Sequence, residues 1–368
     1  MIIRISTLKL LFVFAFAANQ VSAADIIETL AGTGQPENNG NSGVGTEVNV
    51  KDPFGVEIGP KGGLYITEVG NHRVMRLDLF TSKLVTIAGT GKKGYSGDGG
   101  PATEAELNEP YEVRFDTSGN MYFVEMQNQL VRRVDAKTGI ITTVAGTGKK
   151  GFSGDGGPAT EATFSSPHSI DLDESGNIYI ADIGNHRIRM VDAKTGIVTT
   201  IAGSNGRTLP KDGQKAEGNS VLGPRALFYQ NSVLWVALRE GHSVFKLDLK
   251  TGIWHHIAGS GKKGFSGDGG DPLKATFNGP KGIAVGPKGN IFVVDTENQA
   301  IRKIDLKNNV ITTIAGQGPE HRGGAGDGGP ATQSEMDRPH GICIDDYGGV
   351  YIGDTLNHRV RRVRAKKR

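Results

Sequence analysis

The sequence has 368 residues, of which 36% are hydrophobic and 22% charged, and 55 are glycines, a composition typical of a globular protein rich in turns. The formal net charge is only +3, so charge alone gives no reason to expect nucleic acid or a strongly acidic partner. Cys343 is the single cysteine, which excludes an intramolecular disulfide.

The first 23 residues predict a secretory signal peptide. Arg4 and Lys9 give a positive start, a short apolar run follows, and Val-Ser-Ala at residues 21–23 offers a cleavage site after Ala23. The run is too short for a membrane span, and no later segment is apolar enough to cross a bilayer. We therefore expect a secreted or periplasmic protein, whose formal charge falls to +1 once the two basic residues are removed.

An internal repeat of about 57 residues fills a single domain over residues 24–368. Ala-Gly follows an apolar residue once per unit, at intervals of 57, 57, 57, 56 and 57 residues. The alanines are Ala31, Ala88, Ala145, Ala202, Ala258 and Ala315. A proline begins the next segment of each unit, at Pro53, Pro110, Pro167, Pro224, Pro280 and Pro339.

The unit that begins at Pro167 shows the internal plan. Residues 168–173, 178–182, 187–192 and 197–203 alternate between apolar and polar residues and are separated by turns rich in Gly, Asn and Asp. Such runs predict strands. Four strands in each of six units, with no long helical pattern, predict an all-β fold, a six-bladed β-propeller of four-stranded antiparallel blades.

The two ends of the repeat predict how the ring closes. Residues 25–32 match the fourth strand of a unit, whereas residues 358–363 match the third. We expect the N-terminal strand to complete the last blade, which leaves no open sheet edge between the ends.

The repeats resemble the NHL-repeat family of propellers. The carrying motifs are a Pro-x-Gly-(Val/Ile) strand start, a Gly-Asn-(Ile/Val)-Tyr-Ile-x-(Asp/Glu) second strand and an Asn-His-Arg third strand, as in "PHSIDLDESGNIYIADIGNHRIRMVD" and "PHGICIDDYGGVYIGDTLNHRVRRV". The glycine-rich insert "GFSGDGGPAT" resembles the bacterial, teneurin-like branch. The resemblance implies the fold, while propellers host lyases, lactonases, oxidoreductases and binding modules.

Some polar residues recur in nearly every unit and are expected to serve the scaffold. An acid ends the second strand, at Glu68, Glu125, Asp182, Asp295 and Asp354, and blade 4 has Leu238 instead. An asparagine follows three residues later, and this pair can bond backbone amides around a tight turn. We expect the nearby Arg73, Arg187 and Arg359 to pair with acids of a neighbouring blade.

A glycine-rich loop precedes four of the blades, as "KKGYSGDGGPATEA", two close copies and one looser copy. Near-identical copies favour a scaffold loop, with a short helical turn after the glycines. The alternative is a Ca²⁺ contact through the loop aspartates Asp98, Asp155, Asp268 and Asp327. One carboxylate per loop is few for Ca²⁺, which takes six to eight oxygen ligands. The loop is missing before blades 1 and 4, which face each other across the ring. The different segments at these two places could flank a groove.

The position after each unit's proline varies around the ring, with histidine in two of the six blades. Its residues are Phe54, Tyr111, His168, Arg225, Lys281 and His340. Because they begin the innermost strand, we expect them to crowd the mouth of the central channel.

Histidine at this position resembles the zinc-binding histidines of peptidylglycine amidating lyases, which are six-bladed relatives. That resemblance implies a metal at His168 and His340, with zinc or calcium as the candidate ion. The related enzymes use three histidines and no third Pro-His occurs here, so Glu112 or His242 would have to replace it.

The six residues at the channel mouth are compatible with two functions. The first is a binding or interaction module that recognises a peptide, glycan or protein through its upper face and channel mouth, without nucleic acid. The alternative is a metal-dependent lyase or lactonase-type hydrolase centred on His168 and His340, with Tyr111 as base and Arg225 as anchor. The residues favour the module over the enzyme.

Overall fold

The computed structural model describes residues 25–364, so the signal peptide expected over residues 1–23 lies outside the described residues. Within that range the chain forms a six-bladed β-propeller, which confirms the predicted fold. No helix in residues 25–364 is long and apolar enough to cross a membrane.

The strands run in the order of the blades. They are β1 (Ile26–Ala31), β2 (Ser42–Val44), β3 (Pro53–Ile58), β4 (Leu64–Glu68), β5 (Arg73–Leu77), β6 (Lys83–Ala88), β7 (Pro110–Phe115), β8 (Met121–Glu125), β9 (Leu130–Val134), β10 (Ile141–Ala145), β11 (Pro167–Leu172), β12 (Ile178–Asp182), β13 (Arg187–Val191), β14 (Val198–Gly203), β15 (Pro224–Gln230), β16 (Val233–Leu238), β17 (Ser243–Asp248), β18 (Ile253–Ala258), β19 (Gly282–Val285), β20 (Ile291–Asp295), β21 (Ala300–Asp305), β22 (Val310–Ala315), β23 (Ile342–Ile344), β24 (Val350–Asp354) and β25 (Arg359–Arg364). The described residues also contain short 3-10 helices, at Gly45–Glu47, Pro60–Gly62, Ala102–Glu104, Ala159–Glu161, Ile183–Asn185, Pro272–Lys274, Thr296–Asn298, Ala331–Gln333 and Thr355–Asn357.

Each blade is an antiparallel sheet whose strands follow chain order from the channel outward, except that β1 is the outermost strand of blade 6 and β2 that of blade 1. The ring closes as predicted, because β1 pairs with β25 and so completes blade 6, with Ile26 opposite Arg364. Blade 1 differs from the expected four strands, since β2 pairs with β6 and adds a fifth strand.

The turns within a blade are built by aspartate side chains. In blade 3, Oδ1 of Asp173 accepts bonds from the amides of Ser175 and Asn177, and Oδ1 of Asp192 does the same for Lys194 and Thr195. Such side-chain bonds replace backbone bonds around a tight reversal. The apolar residues of the intervening strands face the adjacent blades, so the core consists of buried layers between neighbouring blades.

Neighbouring blades are also joined on the upper face, which carries the turns between second and third strands. In each turn, one residue with left-handed backbone accepts a hydrogen bond from the amide that precedes the first-strand proline of the next blade. The six pairs are His72–Glu109, Gln129–Ser166, His186–Gly223, His242–Gly279, Gln299–Arg338 and His358–Asp52, at 2.5–3.3 Å. We call these pairs the clasp; the last one joins blade 6 to blade 1.

A buried arginine explains most of the glycine-rich loop. Arg132, in β9, donates to Glu125 at 2.8 Å and to the loop residue Asp98 at 2.7 Å, and it is fully buried. The ring of Tyr95 covers it, 5.1 Å from the guanidinium carbon. The same arrangement recurs in the triplets Arg189–Asp182–Asp155, Arg302–Asp295–Asp268 and Arg361–Asp354–Asp327.

The loop also covers the outer edge of the blade that it precedes. The amide of Gly99 donates to the carbonyl of Ile141, and the amide of Ile141 donates to Gly100. A side chain at Gly97 would place its Cβ 2.7 Å from Ala105, and its φ of 89° also favours glycine. The loop therefore protects a sheet edge, which supports its interpretation as scaffold.

The predicted partners of Arg73, Arg187 and Arg359 are wrong. Arg73 pairs with Glu68 of its own blade, whereas Arg187 bonds Asn205 and Arg359 bonds the carbonyl of Gly324. In blades 3 and 6 the arginine two residues further on, Arg189 or Arg361, reaches the second-strand acid and the loop aspartate instead.

Blades 1 and 4 lack both the loop and this arginine. Met75 and Phe245 occupy the arginine position, and β2 or a segment containing Asp212 covers the outer strand. These two segments thus lie on the outside of the propeller, where they cover the outer strand in place of the loop, and they do not flank a groove.

The clasp predicts a pH dependence of stability. Burial lowers the pKa of His72, His186 and His242, so the folded state binds protons less tightly than the unfolded state, and stability should be lost as the pH falls from about 7.5 to about 5. The triple variant His72→Gln, His186→Gln, His242→Gln should show a smaller loss in melting temperature over this range, because blades 2 and 5 use glutamine for the same bond.

The exposed His321 supplies a matched control, and His321→Gln should keep the wild-type pH profile. Thermal unfolding followed by circular dichroism at each pH measures the effect. An unchanged acid loss in the triple variant would show that the clasp histidines do not cause it.

Candidate functional site

The six residues predicted at the channel mouth line one cavity of about 340 Å³ on the upper face. Each follows the clasp amide of its blade by two positions, so the clasp and the proline fix where its strand begins. The turns of the upper face complete the wall with Asp52, Val69, Arg239, Arg338, Thr355 and Leu356. The cavity lies at the axis, where all blades converge.

One side of the cavity is an arc of flat rings. Phe54 stacks on His340 with ring centroids 4.0 Å apart and contacts Tyr111 at 4.4 Å. Tyr111 in turn meets His168 edge to face at 4.9 Å. This arc spans blades 6, 1, 2 and 3, so Phe54 and Tyr111 separate the two histidines along the wall.

Both mouth histidines are neutral and share one tautomer. Nδ1 of His168 lies 2.5 Å from the carbonyl of Ser166, and Nδ1 of His340 lies 2.8 Å from that of Arg338. A carbonyl oxygen only accepts, so Nδ1 carries the proton and Nε2 is the acceptor. Burial, with nearby Arg225 or Lys281, holds the pKa of both rings well below the usual value.

The opposite side of the cavity is cationic. Lys281 donates to Oε1 of Glu297 at 2.7 Å, and Arg338 donates to the same oxygen at 2.9 Å. Arg239 pairs with Glu240. Burial lowers the pKa of Lys281 to about 8, so its positive charge is retained at neutral pH and lost in mild alkali.

Arg225 differs from these cations because its charge has no close partner. It is 2% exposed, and the buried Nη1 makes no hydrogen bond to any residue in the range 25–364. Oε1 of Glu112 lies 3.9 Å from Nη1, beyond hydrogen-bonding distance. The guanidinium carbon lies 5.5 Å from the Tyr111 ring, and burial lowers the pKa of Arg225 to about 10.

A charged network lies below the mouth. Glu112 accepts bonds from Ser169 at 2.8 Å and from Arg114 at 3.2 Å, and Arg114 also lies 3.4 Å from Glu57 and 3.6 Å from Asp171. Three carboxylates around one arginine leave excess negative charge, and burial raises the pKa of Glu57 to about 7. Glu112 is therefore held by Arg114 and Ser169, and its nearest oxygen stays 3.9 Å from Nη1 of Arg225.

The residues present fit a bound transition metal poorly. Between residues 25 and 364, no group of three or more His, Cys, Asp or Glu side chains is arranged to hold a metal ion. The third histidine implied by the amidating lyase resemblance has no counterpart, and Arg225 and Lys281 would repel a cation. The metal-dependent lyase or hydrolase therefore stays a prediction, and we derive no step through a metal.

The loop aspartates fit Ca²⁺ no better. Asp98, Asp155, Asp268 and Asp327 lie on four different blade junctions, and each carboxylate is already paired with a buried arginine. A calcium ion would have to displace that arginine.

The structure bears differently on the predicted roles of Tyr111 as a base and Arg225 as an anchor. Burial raises the pKa of the Tyr111 hydroxyl, which disfavours the phenolate that a general base requires at neutral pH. Arg225 lines the cavity and its Nη1 has no hydrogen bond to the described residues, so its guanidinium is placed to anchor an anion.

Sequence reasoning missed Arg239 and Arg338. Both had a signal: Arg239 follows Leu238, where blade 4 breaks the acid pattern, and Arg338 directly precedes Pro339 and His340. Their place in the cavity depends on how the turns fold over the mouth, which a comparison of single positions does not show.

A larger cavity, of about 640 Å³, lies on the lower face between blades 5 and 6. Its arginines, Arg362 and Arg364, both pair with Glu28, and Tyr347 beside it is almost wholly exposed. It therefore offers no unpaired buried group comparable to Arg225.

Comparisons with known proteins find similarity to NHL-repeat proteins. Residues 147–220 and 254–323 match the teneurin NHL domain, and residues 336–363 match the NHL repeat. NHL repeat-containing protein 2 of Gallus gallus is 29% identical over 352 residues, covering 85% of this chain and 47% of that protein. Teneurin-1 of Mus musculus is 24% identical over 349 residues, covering 84% of this chain and 12% of that protein.

The chain thus spans less than half the length of these curated relatives. Among solved structures, an auxiliary nutrient binding protein from Bacteroides thetaiotaomicron superposes with a TM-score of 0.67 at 17% identity, covering 94% of this chain and 78% of that one. The predicted resemblance is therefore confirmed: parts of this chain match the teneurin NHL domain and the NHL repeat, and the chain folds as a six-bladed propeller.

Proposed function

We propose that this protein is an exported interaction module that binds an acidic group of its ligand in the mouth of the central channel. The observation that carries the proposal is Arg225, a buried guanidinium without a hydrogen bond on Nη1 at the wall of a cavity. A buried charge without a partner costs stability, so a fold keeps one where a ligand supplies the partner.

The surrounding charges support an anionic ligand. Lys281, Arg239 and Arg338 line the same cavity, and Asp52 is the one carboxylate in its lining among the described residues. The positive potential would draw an anion to the mouth and repel cations. A propeller of the same fold is described as an auxiliary nutrient binding protein, which is compatible with a binding role.

Stability measurements test whether Arg225 serves the ligand or the scaffold. Arg225→Met should leave the free energy of unfolding unchanged or raise it, because methionine fills the space without a buried charge. Arg132→Met should lower it by about 3–5 kcal/mol, because Glu125 is left buried without its cation. Urea unfolding of both variants gives the comparison, and an equal loss in both would mark Arg225 as structural.

Anion binding tests the proposal directly. Sodium acetate, titrated against sodium chloride at constant ionic strength, should raise the melting temperature of the wild-type protein, because a ligand that binds only the folded state stabilises it. Arg225→Met should abolish this shift. The effect should weaken as the pH rises through about 8, where Lys281 loses its proton. An equal acetate shift in the variant would refute the proposed site.

Export is tested separately. Expression of the full 368-residue chain in a Gram-negative host, followed by fractionation and mass spectrometry, should yield a periplasmic protein that begins at Ala24. An intact N-terminus on protein recovered from the cytoplasm would contradict the export proposal and leave the binding site unaffected.

A further inference from the structure

The cavity specifies its ligand more narrowly than an acidic group. This inference rests on the proposed function, because it uses the same cavity. Three properties of the wall bear on the ligand: its net charge, its flat rings and its hydrogen-bond acceptors.

The net charge indicates a single negative group. Lys281 and Arg338 share the single carboxylate of Glu297, and Arg239 pairs with Glu240, which leaves one positive charge among these three cations. Asp52, in the lining of the same cavity, balances that charge. Arg225 is left with Glu112 at 3.9 Å, and Glu112 already accepts bonds from Arg114 and Ser169. One unpaired guanidinium matches a carboxylate better than a phosphate dianion.

The arc of rings indicates a flat ligand. Phe54 and Tyr111, with the two histidines, form a continuous wall of rings in contact at 4.0–4.9 Å, opposite the cations. An aromatic ring against such a wall gains stacking or edge contacts beyond the burial of its area. A volume of about 340 Å³ also favours a small molecule with one ring over a polymer.

The histidines indicate a hydrogen-bond donor on the ligand. Nδ1 of His168 and of His340 donates to a backbone carbonyl, so Nε2 of each ring is an acceptor, and neither Nε2 has a hydrogen bond within residues 25–364. A hydroxyl on the ligand satisfies such a nitrogen, whereas a second carboxylate oxygen cannot.

We propose that the channel mouth binds a small aromatic monocarboxylate that carries a hydroxyl group. Its carboxylate pairs with Arg225, its ring packs against Phe54 and Tyr111, and its hydroxyl donates to Nε2 of His168 or His340. The wall thus recognises charge, flatness and a donor at the same time.

Calorimetric titration of the mature protein with 4-hydroxyphenylacetate tests the proposal. We expect it to bind roughly tenfold more tightly than each analogue that lacks one feature, since each analogue loses an ion pair, a stacking contact or a buried hydrogen bond. The analogues are 4-hydroxyphenylacetamide without the charge, 4-hydroxycyclohexylacetate without the flat ring, and phenylacetate without the hydroxyl.

Two variants and a control locate the binding. Arg225→Met should abolish binding of 4-hydroxyphenylacetate, and Phe54→Leu should weaken the binding of 4-hydroxyphenylacetate more than that of 4-hydroxycyclohexylacetate, which has no flat ring. Lys137→Met, on an exposed turn of the lower face, should bind as the wild type does. Thermal unfolding of each variant establishes that it is folded.

The outcomes separate this inference from the proposed function. The aromatic class would be overturned if 4-hydroxyphenylacetate bound no more tightly than its cyclohexyl analogue, or no more tightly than acetate. The anion site would still stand in that case if acetate binding depended on Arg225. Tighter binding of inorganic phosphate would overturn the monocarboxylate. Absence of any Arg225-dependent binding, acetate included, would overturn both.

Discussion

The clasp is the interaction on which the geometry of this propeller depends. It joins a left-handed residue in one blade to the amide before the first-strand proline of the next, six times around the ring. Because proline has a fixed φ and no amide hydrogen, the chain enters the inner strand from a defined position. The mouth residue follows at once, so the bond that spaces the blades also spaces the cavity wall.

The buried arginines stabilise the outer part of each blade, independently of the clasp. Arg132 and its three equivalents tie the second-strand acid to the glycine-rich loop, and the loop then covers the outermost strand. Guanidinium suits this place because its planar fork reaches two carboxylates at once. Blades 1 and 4 solve the same edge problem with other segments, which shows that the sheet edge, rather than a ligand, is what the loop serves.

Self-comparison of the repeats was sufficient to predict the fold, the ring closure and the six mouth residues, because each depends on spacing along one chain. The hydrogen-bonding partners of the charged side chains could not be predicted in the same way. Arg187 and Arg189 are two residues apart and chemically identical, and only the packed blade shows that Arg189 faces the acid. The tautomers of His168 and His340 likewise follow from carbonyls that sequence spacing does not locate.

The contrast between the two kinds of arginine argues that the mouth is a site. Arg132, Arg189, Arg302 and Arg361 are fully buried, and each meets two carboxylates. Arg225 is buried almost as deeply but has one carboxylate, at 3.9 Å and without a hydrogen bond, whereas each of these four arginines has two carboxylates within 3.7 Å and hydrogen-bonds at least one. The scaffold therefore has the means to neutralise a buried guanidinium and does not use it at the axis. The carboxylate of a bound ligand would give Arg225 the partner that Arg132 and its three equivalents receive from the protein itself.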